Sequence, residues 1–401
     1  MIYDPTRHEA LHPEKWSEAR ALSAIGWIVE DAEARFAPER YWPAHPQDTD
    51  GGASAPLTPL YFGALGVMWA LHHLRDCGAT ALARDYSAHL ARLQHDNRLW
   101  LGEQYESSKG AYLMGDTPYL LMRYACDPAN VGIADELENL IAANINHPTR
   151  ELMWGAPGTM LAALFLHERS GEERWARWFR ETARQLWSQL QWSEKFACHY
   201  WTQDLYGTRA TYLDAVHGFV ATAAPLIRGR TLLEAAEWSA WQECIINTVT
   251  RTATWQGDRV NWRACLVPPE GKSDRFLMQF CHGAPGFVIC LGGLPASALD
   301  TLLLAAGETT WTAGPLSKGS NLCHGTGGNG YTFLKLYHRT GERRWLDRAR
   351  TFAMHGIAQT EADQRTYGQG RYSLWTGDVG FAIYLWHCLQ GTHRFPTLDV
   401  F

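Results

Sequence analysis

The sequence predicts an all-α protein closed into an α/α toroid, or barrel, of seven helical hairpins. Two observations carry this: a glycine turn recurs along the chain, and apolar helical segments alternate with amphipathic ones. In the turn a bulky residue or His precedes a glycine, two residues follow, and usually a second glycine leads into an apolar run. Copies begin at Gly63 (GALG), Gly115 (GDTP), Gly155 (GAPG), Gly218 (GFVA), Gly283 (GAPG), Gly325 (GTGG) and Gly377 (GDVG), 40 to 65 residues apart. Self-similarity at such a spacing marks a repeat architecture.

The runs GALGVMWALHHL, APGTMLAALFLHER and GDVGFAIYLWHCL are apolar on nearly every side, as helices buried all round are. The segments between them are amphipathic. An internal match shows the unit: HERSGEERWARWFRETA from His167 resembles YHRTGERRWLDRARTFA from Tyr337. In both, an inner helix ends at a Ser/Thr-Gly turn. An outer helix then carries Trp and other apolar residues at helical spacing, with Arg and Glu on the opposite face. Closing such hairpins into a ring buries every inner helix and leaves no open end. The turn glycines are expected to supply positive φ and close backbone approach. No linker divides the chain, so residues 1–401 read as a single domain. The Gly-, Pro- and Asp-rich stretch 43–59 reads as its mobile loop.

Composition narrows the class. Hydrophobic residues at 46% and charged residues at 19% fit a folded soluble protein rather than a disordered one. Nineteen tryptophans point to broad aromatic surfaces between elements or around a cavity. The net charge of -6 argues against a nucleic-acid surface, which is usually basic. The opening MIYDPTRHEALHPEKW is polar and lacks the apolar core of a signal peptide. No apolar run approaches the roughly 18 to 20 residues of a membrane span. A cytoplasmic location is expected. Nine cysteines, an odd number in a long chain, do not make a disulfide framework.

Two turns carry Cys-His before their glycine: FCHGAPGF with Cys281 and His282, and LCHGTGGNGY with Cys323 and His324. Equivalent turns of a closed ring face the same end, so two thiols and up to two imidazoles converge there. Thiolate and imidazole suit zinc. Spacing alone does not choose a third ligand from the two histidines. A third Cys-His pair, Cys198-His199, lies in no glycine turn.

These two motifs resemble the signature of the lanthionine synthetase C-like family. The segments ELMWGAPG, DAVHGFVA, SKGSNLCHG, RYSLWTGDVG and the terminal RFP resemble its stand-alone, eukaryotic-type branch. The family fold is a toroid of seven hairpins. The resemblance implies one zinc per chain on Cys281, Cys323 and His324, with water or a substrate thiol fourth. His282 then lies beside the metal as a proton carrier or hydrogen-bond donor. It implies that His217 handles a proton and that Glu151 orients His217 or tunes the site. It implies that Lys318, five residues before Cys323, holds a substrate carboxylate or stabilises an enolate. Either Arg365 or Arg371 matches a family arginine before the seventh turn, and Arg275 lies near a basic position before Cys281. The chain departs from the pattern at Asp214, where the branch has a small residue, and at Ala221, where a glycine is usual. Asp214 reads as an added acid or a cap.

Together these imply a zinc-dependent enzyme forming C–S bonds. A thiol, from glutathione or a peptide cysteine, would add to dehydroalanine or dehydrobutyrine in a peptide or protein. Two thiolates and a neutral imidazole leave a zinc site formally uncharged, so a bound thiol loses its proton yet stays electron-rich. The alternative is a non-catalytic zinc- and glutathione-binding adaptor. A glycan-processing toroid would need paired carboxylates; Asp116, Glu151 and Asp378 lie near turns but form no such motif.

Overall fold

The computed structural model describes residues 1–48, 56–269, 271 and 275–401. Along them, seven outer helices alternate with seven inner ones. The first pair is α1 (Glu18–Arg35) and α2 (Ala64–Asp76). Next come α3 (Leu90–Leu101), a four-residue helix α4 (Tyr105–Ser108) and the inner α5 (Thr117–Cys126). The third pair is α6 (Val131–Asn144) and α7 (Ala156–Ser170), the fourth α8 (Glu173–Ser188) and α9 (Phe219–Arg228). The last three are α10 (Ala235–Thr252) with α11 (Ala284–Leu291), α12 (Asp300–Ala313) with α13 (Thr326–Thr340), and α14 (Arg343–Tyr367) with α15 (Asp378–Gln390). The loop expected over 43–59 falls partly on residues 49–55, outside the described residues; Pro46–Asp48 before them forms a short 3-10 turn.

Burial follows the sequence pattern. Every residue of α11 is buried, and α7 is buried from Ala156 to Leu166. The outer helix α8 buries only one stripe, including Trp175, Phe179 and Leu186. The two matched repeats end alike. Gly171 (φ 70°) and Gly341 (φ 72°) are left-handed, and their N–H groups close back on the carbonyls of His167 and Tyr337. Trp175 and Trp345 then take equivalent places, each fully buried beneath a preceding arginine.

The turn glycines work mainly through one of the two expected properties. Gly63, Gly155, Gly218, Gly325 and Gly377 have extended backbones open to any residue. Close approach is what excludes a side chain. A Cβ on Gly218 would lie 2.1 Å from the nitrogen of Asp214. Only Gly283 among the turn-opening glycines adds a positive φ, of 112°.

The turns are stitched into a ring by their own backbones. The residue two before each turn glycine donates to, or accepts from, its neighbour. Tyr61 N bonds to Leu113 O, Leu113 N to Met153 O, and Leu152 N to Val216 O. Beyond the fifth turn, Cys281 N bonds to Cys323 O, Cys323 N to Trp375 O, and Trp375 N back to Tyr61 O, closing the circle. Turns four and five are joined through side chains, His282 to Asp214. No described helix is long and apolar enough to cross a membrane.

Short strands decorate the links before α9 and α11. They pair antiparallel as β1 (Gln191–Ser193) with β2 (Cys198–Tyr200), β3 (Gln203–Leu205) with β4 (Thr208–Ala210), and β5 (Thr254–Gln256) with β6 (Arg259–Asn261). The Cys198-His199 pair lies in β2, away from the turn glycines. Tyr206 and Gly207, at φ 52° and 71°, make the two-residue loop between β3 and β4, the geometry that suits the right-handed twist of paired strands.

Candidate metal centre

Turns five and six deliver Cys281, Cys323 and His324 to one point. The Cys281–Cys323 backbone bond of 3.1 Å sets the two cysteines side by side. One ligand atom from each of the three residues lies within 4.8 Å of the others. Ligands on one tetrahedral zinc, with Zn–S near 2.3 Å and Zn–N near 2.0 Å, stand roughly 3.5 to 3.8 Å apart. Contraction by about an ångström would complete such a shell, so the donor set fits. It is His324, and not His282, that joins the sulfurs. Asn321 fixes the segment by accepting from His324 N at 3.0 Å.

The thiol and the imidazole respond differently to burial. Hydrogen bonding to Cys323 and burial push the Cys281 thiol well above its ordinary range; a coordinated thiol is deprotonated outright. Burial holds His324 below the usual histidine value, with Lys318 and Arg371 adding to the effect against the pull of Cys281. The neutral imidazole this favours is the ligating form. Each sulfur also has a polar neighbour. Tyr61 Oη lies 2.8 Å from Cys323 Sγ, and Gln279 Nε2 lies 2.9 Å from Cys281 Sγ. Arg7 Nη2 holds the far end of Gln279 at 3.0 Å.

Beside this cluster stand two histidine–carboxylate pairs built by one repeat rule. Four residues before its glycine, Glu151 accepts from the N–H groups of Met153 (2.9 Å) and Trp154 (2.6 Å), capping its own turn. Its Oε2 also lies 2.9 Å from Nδ1 of His217, in the next turn. Asp214 holds the same place one turn on. It accepts from Val216 N (3.1 Å) and His217 N (2.8 Å), and its Oδ2 lies 2.7 Å from Nδ1 of His282. Asp214 thus caps its own turn and also pairs with His282. Both carboxylates are fully buried. Burial opposes charge on His217, but the hydrogen bond and charge of Glu151, with Asp214 and Cys281, hold its pKa above the ordinary value. His282, also opposed by burial, is pushed up to about 9 by Asp214 and Cys281. With Nδ1 turned to a carboxylate, Nε2 is the nitrogen left to meet a substrate.

The remaining expected residues divide between two flanks. Lys318 is exposed and shares a small recess with Arg371, His45, Asp363 and Asp378. Arg371 is already paired with Asp48. Arg365 is exposed on the last turn of α14 and does not line that recess. Arg275 is exposed on the other flank, lining a cleft with His282. Tyr61, Gln279 and Arg7 were not singled out in the sequence. A signal existed: Tyr61 stands two before its glycine, as Cys281 and Cys323 do. Gln279 stands four before its own, as Glu151 and Asp214 do.

Fold and mouth together define the class, an α/α toroid with a sulfur-rich candidate metal centre at one end. Residues 53–400 match the lanthionine synthetase C-like proteins, and the chain belongs to that family. It is 34% identical over 141 residues to "Glutathione S-transferase LANCL1" of Danio rerio, a match covering 33% of this chain and 34% of the relative. It is 37% identical over 145 residues to "LanC-like protein GCL1" of Arabidopsis thaliana, covering 33% and 32%. The chain therefore spans about a third of the length of each curated relative it matches. Nisin cyclase shares the fold, with a TM-score of 0.59 over 95% of this chain and 97% of that one, at 14% identity.

Proposed function

We propose that the protein is a zinc-dependent enzyme that adds a thiol to dehydroalanine or dehydrobutyrine in a peptide, in the cytoplasm, with residues 1–401 acting as one toroidal unit. The observation that carries this is the convergence of Cys281, Cys323 and His324 with the Glu151–His217 pair at one mouth of the ring. Zinc on the three ligands would draw the proton from an incoming thiol and leave its sulfur nucleophilic.

The chain supplies the rest. The sulfur bonds to the β-carbon of the alkene, and the π electrons shift toward the carbonyl as an enolate. His217, held charged by Glu151, gives its Nε2 proton to the α-carbon. The thiol's own proton replaces it, so no further reactant is needed. His282, oriented by Asp214, is placed to donate a hydrogen bond to the enolate oxygen. Lys318 would meet a carboxylate of glutathione, and Arg371 would join it by exchanging its present partner, Asp48, for the substrate. Glutathione is favoured as the thiol by the name of the Danio rerio relative, and thioether formation by the family's description as lanthionine synthetase C-like.

The test is direct. Zinc-loaded protein, glutathione and a dehydroalanine peptide should yield the peptide with one added glutathione by mass spectrometry. Protein that binds zinc and glutathione yet forms no adduct would be the adaptor and not an enzyme.

A further inference from the structure

We infer that the cleft beside His282 is the subsite for the acceptor peptide and that it selects an apolar residue next to the dehydroamino acid. This rests on the thiol-addition reading above. The order of turns around the ring separates two flanks. The candidate ligands belong to turns five and six. Lys318 and Arg371 precede turns six and seven and so lie to one side of them. The cleft lies to the other, between turns four and five, where His217 and His282 stand.

The two flanks differ in chemistry. Among its described lining residues, Arg275 is the one Lys, Arg, Asp or Glu side chain in the cleft. Its walls are Leu205 and Tyr206 from the β3–β4 hairpin, Tyr212, and Pro268 with Pro269. The recess sets Lys318 among Asp363, Asp378 and an Arg371 already paired with Asp48, whereas the cleft offers aromatic and proline walls on which an apolar neighbour of the alkene can lie. The volume is about 330 Å³, at the small end of the roughly 300 to 1,000 Å³ usual for ligand sites, room for one or two residues of a peptide.

The walls are continuous with the two acids. The Tyr212 ring lies 5.7 Å from that of His217 and 6.5 Å from that of His282. The Tyr206 ring stands edge-on to His217 at 6.4 Å. Tyr206 is 70% exposed, yet it is fixed. Its hydroxyl accepts from Trp154 Nε1 at 3.0 Å, and its backbone is locked in the left-handed loop. A ring held in place before binding offers apolar contact with little freedom left to lose. An acceptor lying along Tyr206 and Tyr212 would set its alkene beside both histidines.

The experiment compares two dehydroalanine peptides in the zinc-loaded protein, one with leucine and one with glycine beside the alkene. The leucine peptide should show the lower KM. Tyr206→Asn, which tolerates the left-handed loop, should raise that KM about fivefold, raise that of the glycine peptide less, and leave the zinc content and glutathione affinity unchanged. Equal KM values in the native chain, or a variant that loses kcat alone, would overturn the subsite. If no acceptor reacts, the thiol-addition reading falls, and the cleft is judged by calorimetry with an unreactive leucine–alanine peptide. Binding weakened by Tyr206→Asn supports it; no binding, or binding the substitution leaves unchanged, overturns it.

Discussion

The hydroxyl of Tyr61, in the first turn, lies 2.8 Å from the sulfur of Cys323, in the sixth. The ring order makes this possible, because the backbone chain Cys323–Trp375–Tyr61 places the first turn two steps from the sixth. An O–H donated to a thiolate draws charge from the sulfur and steadies it. Groups that orient metal ligands from behind typically change affinity about 10- to 100-fold when removed. Tyr61→Phe should weaken zinc about tenfold in a chelator competition and shift the sulfur-to-metal absorption band of the cobalt-substituted protein. An unchanged band would mean that the contact is packing only.

The ligand assignment is tested by removal. Cys281→Ala and Cys323→Ala should each lose most of the metal, one zinc per chain in the parent, and keep the far-ultraviolet helical signal. The inner helices are buried by one another and do not depend on the mouth. Full metal occupancy in both variants would reject these two sulfurs as ligands.

His217 should act as an acid whose strength Glu151 sets. Its pKa is raised in the folded protein, so the protonated form, and the activity that needs it, persists at low pH and is lost as pH rises through that raised value. Glu151→Gln removes the charge that raises it, so the alkaline limb of kcat should move to lower pH. His217→Ala should cost about 10² to 10⁴ in rate with zinc retained. A limb that stays in place in Glu151→Gln would uncouple the two residues. The same pair contributes stability that is full below the ordinary histidine value of 6.5 and fades as pH rises through the folded one.

Lys318 is exposed, and an exposed charge pair is worth only about 0 to 1 kcal/mol; Arg371 beside it is held by Asp48, so the carboxylate seat rests on Lys318. Lys318→Ala should raise the KM for glutathione several-fold and affect a small neutral thiol less. Equal loss with both thiols would place Lys318 on the enolate, and no loss with either would favour a peptide cysteine as the thiol.

Gly218 links fold and chemistry. A Cβ there would press on the nitrogen of Asp214 at 2.1 Å, and Asp214 holds both the fourth turn and His282. Gly218→Ala should cost about 1 to 3 kcal/mol, as overpacking does, and depress activity more than the equivalent change at the exposed Gly132, where a Cβ meets only the Asn130 side chain at 3.4 Å. Thermal melts and turnover together check this; equal effects at the two sites would show that the close approach relaxes freely.

The toroid was written in the sequence because its signal is local and repeated. Seven glycine turns, apolar runs such as that of α7 and the matched His167 and Tyr337 segments each encode the same hairpin. A ring of such hairpins is the one closure that buries every inner helix. The two Cys-His turns were equally plain, since equivalent turns must face one end. Which histidine joins the sulfurs was not readable from spacing alone. His282 and His324 hold the same place in their turns, and only the tertiary structure turns one to the sulfurs and the other to Asp214. The same holds for the place of Arg371 in the Lys318 recess, for Tyr61 and Gln279 against the thiols, and for the contact of Asp214 with His282. Each depends on which turn is neighbour to which around a closed ring. That is a relation between residues as much as 323 positions apart, as Arg371 and Asp48 are, beyond the reach of any local pattern.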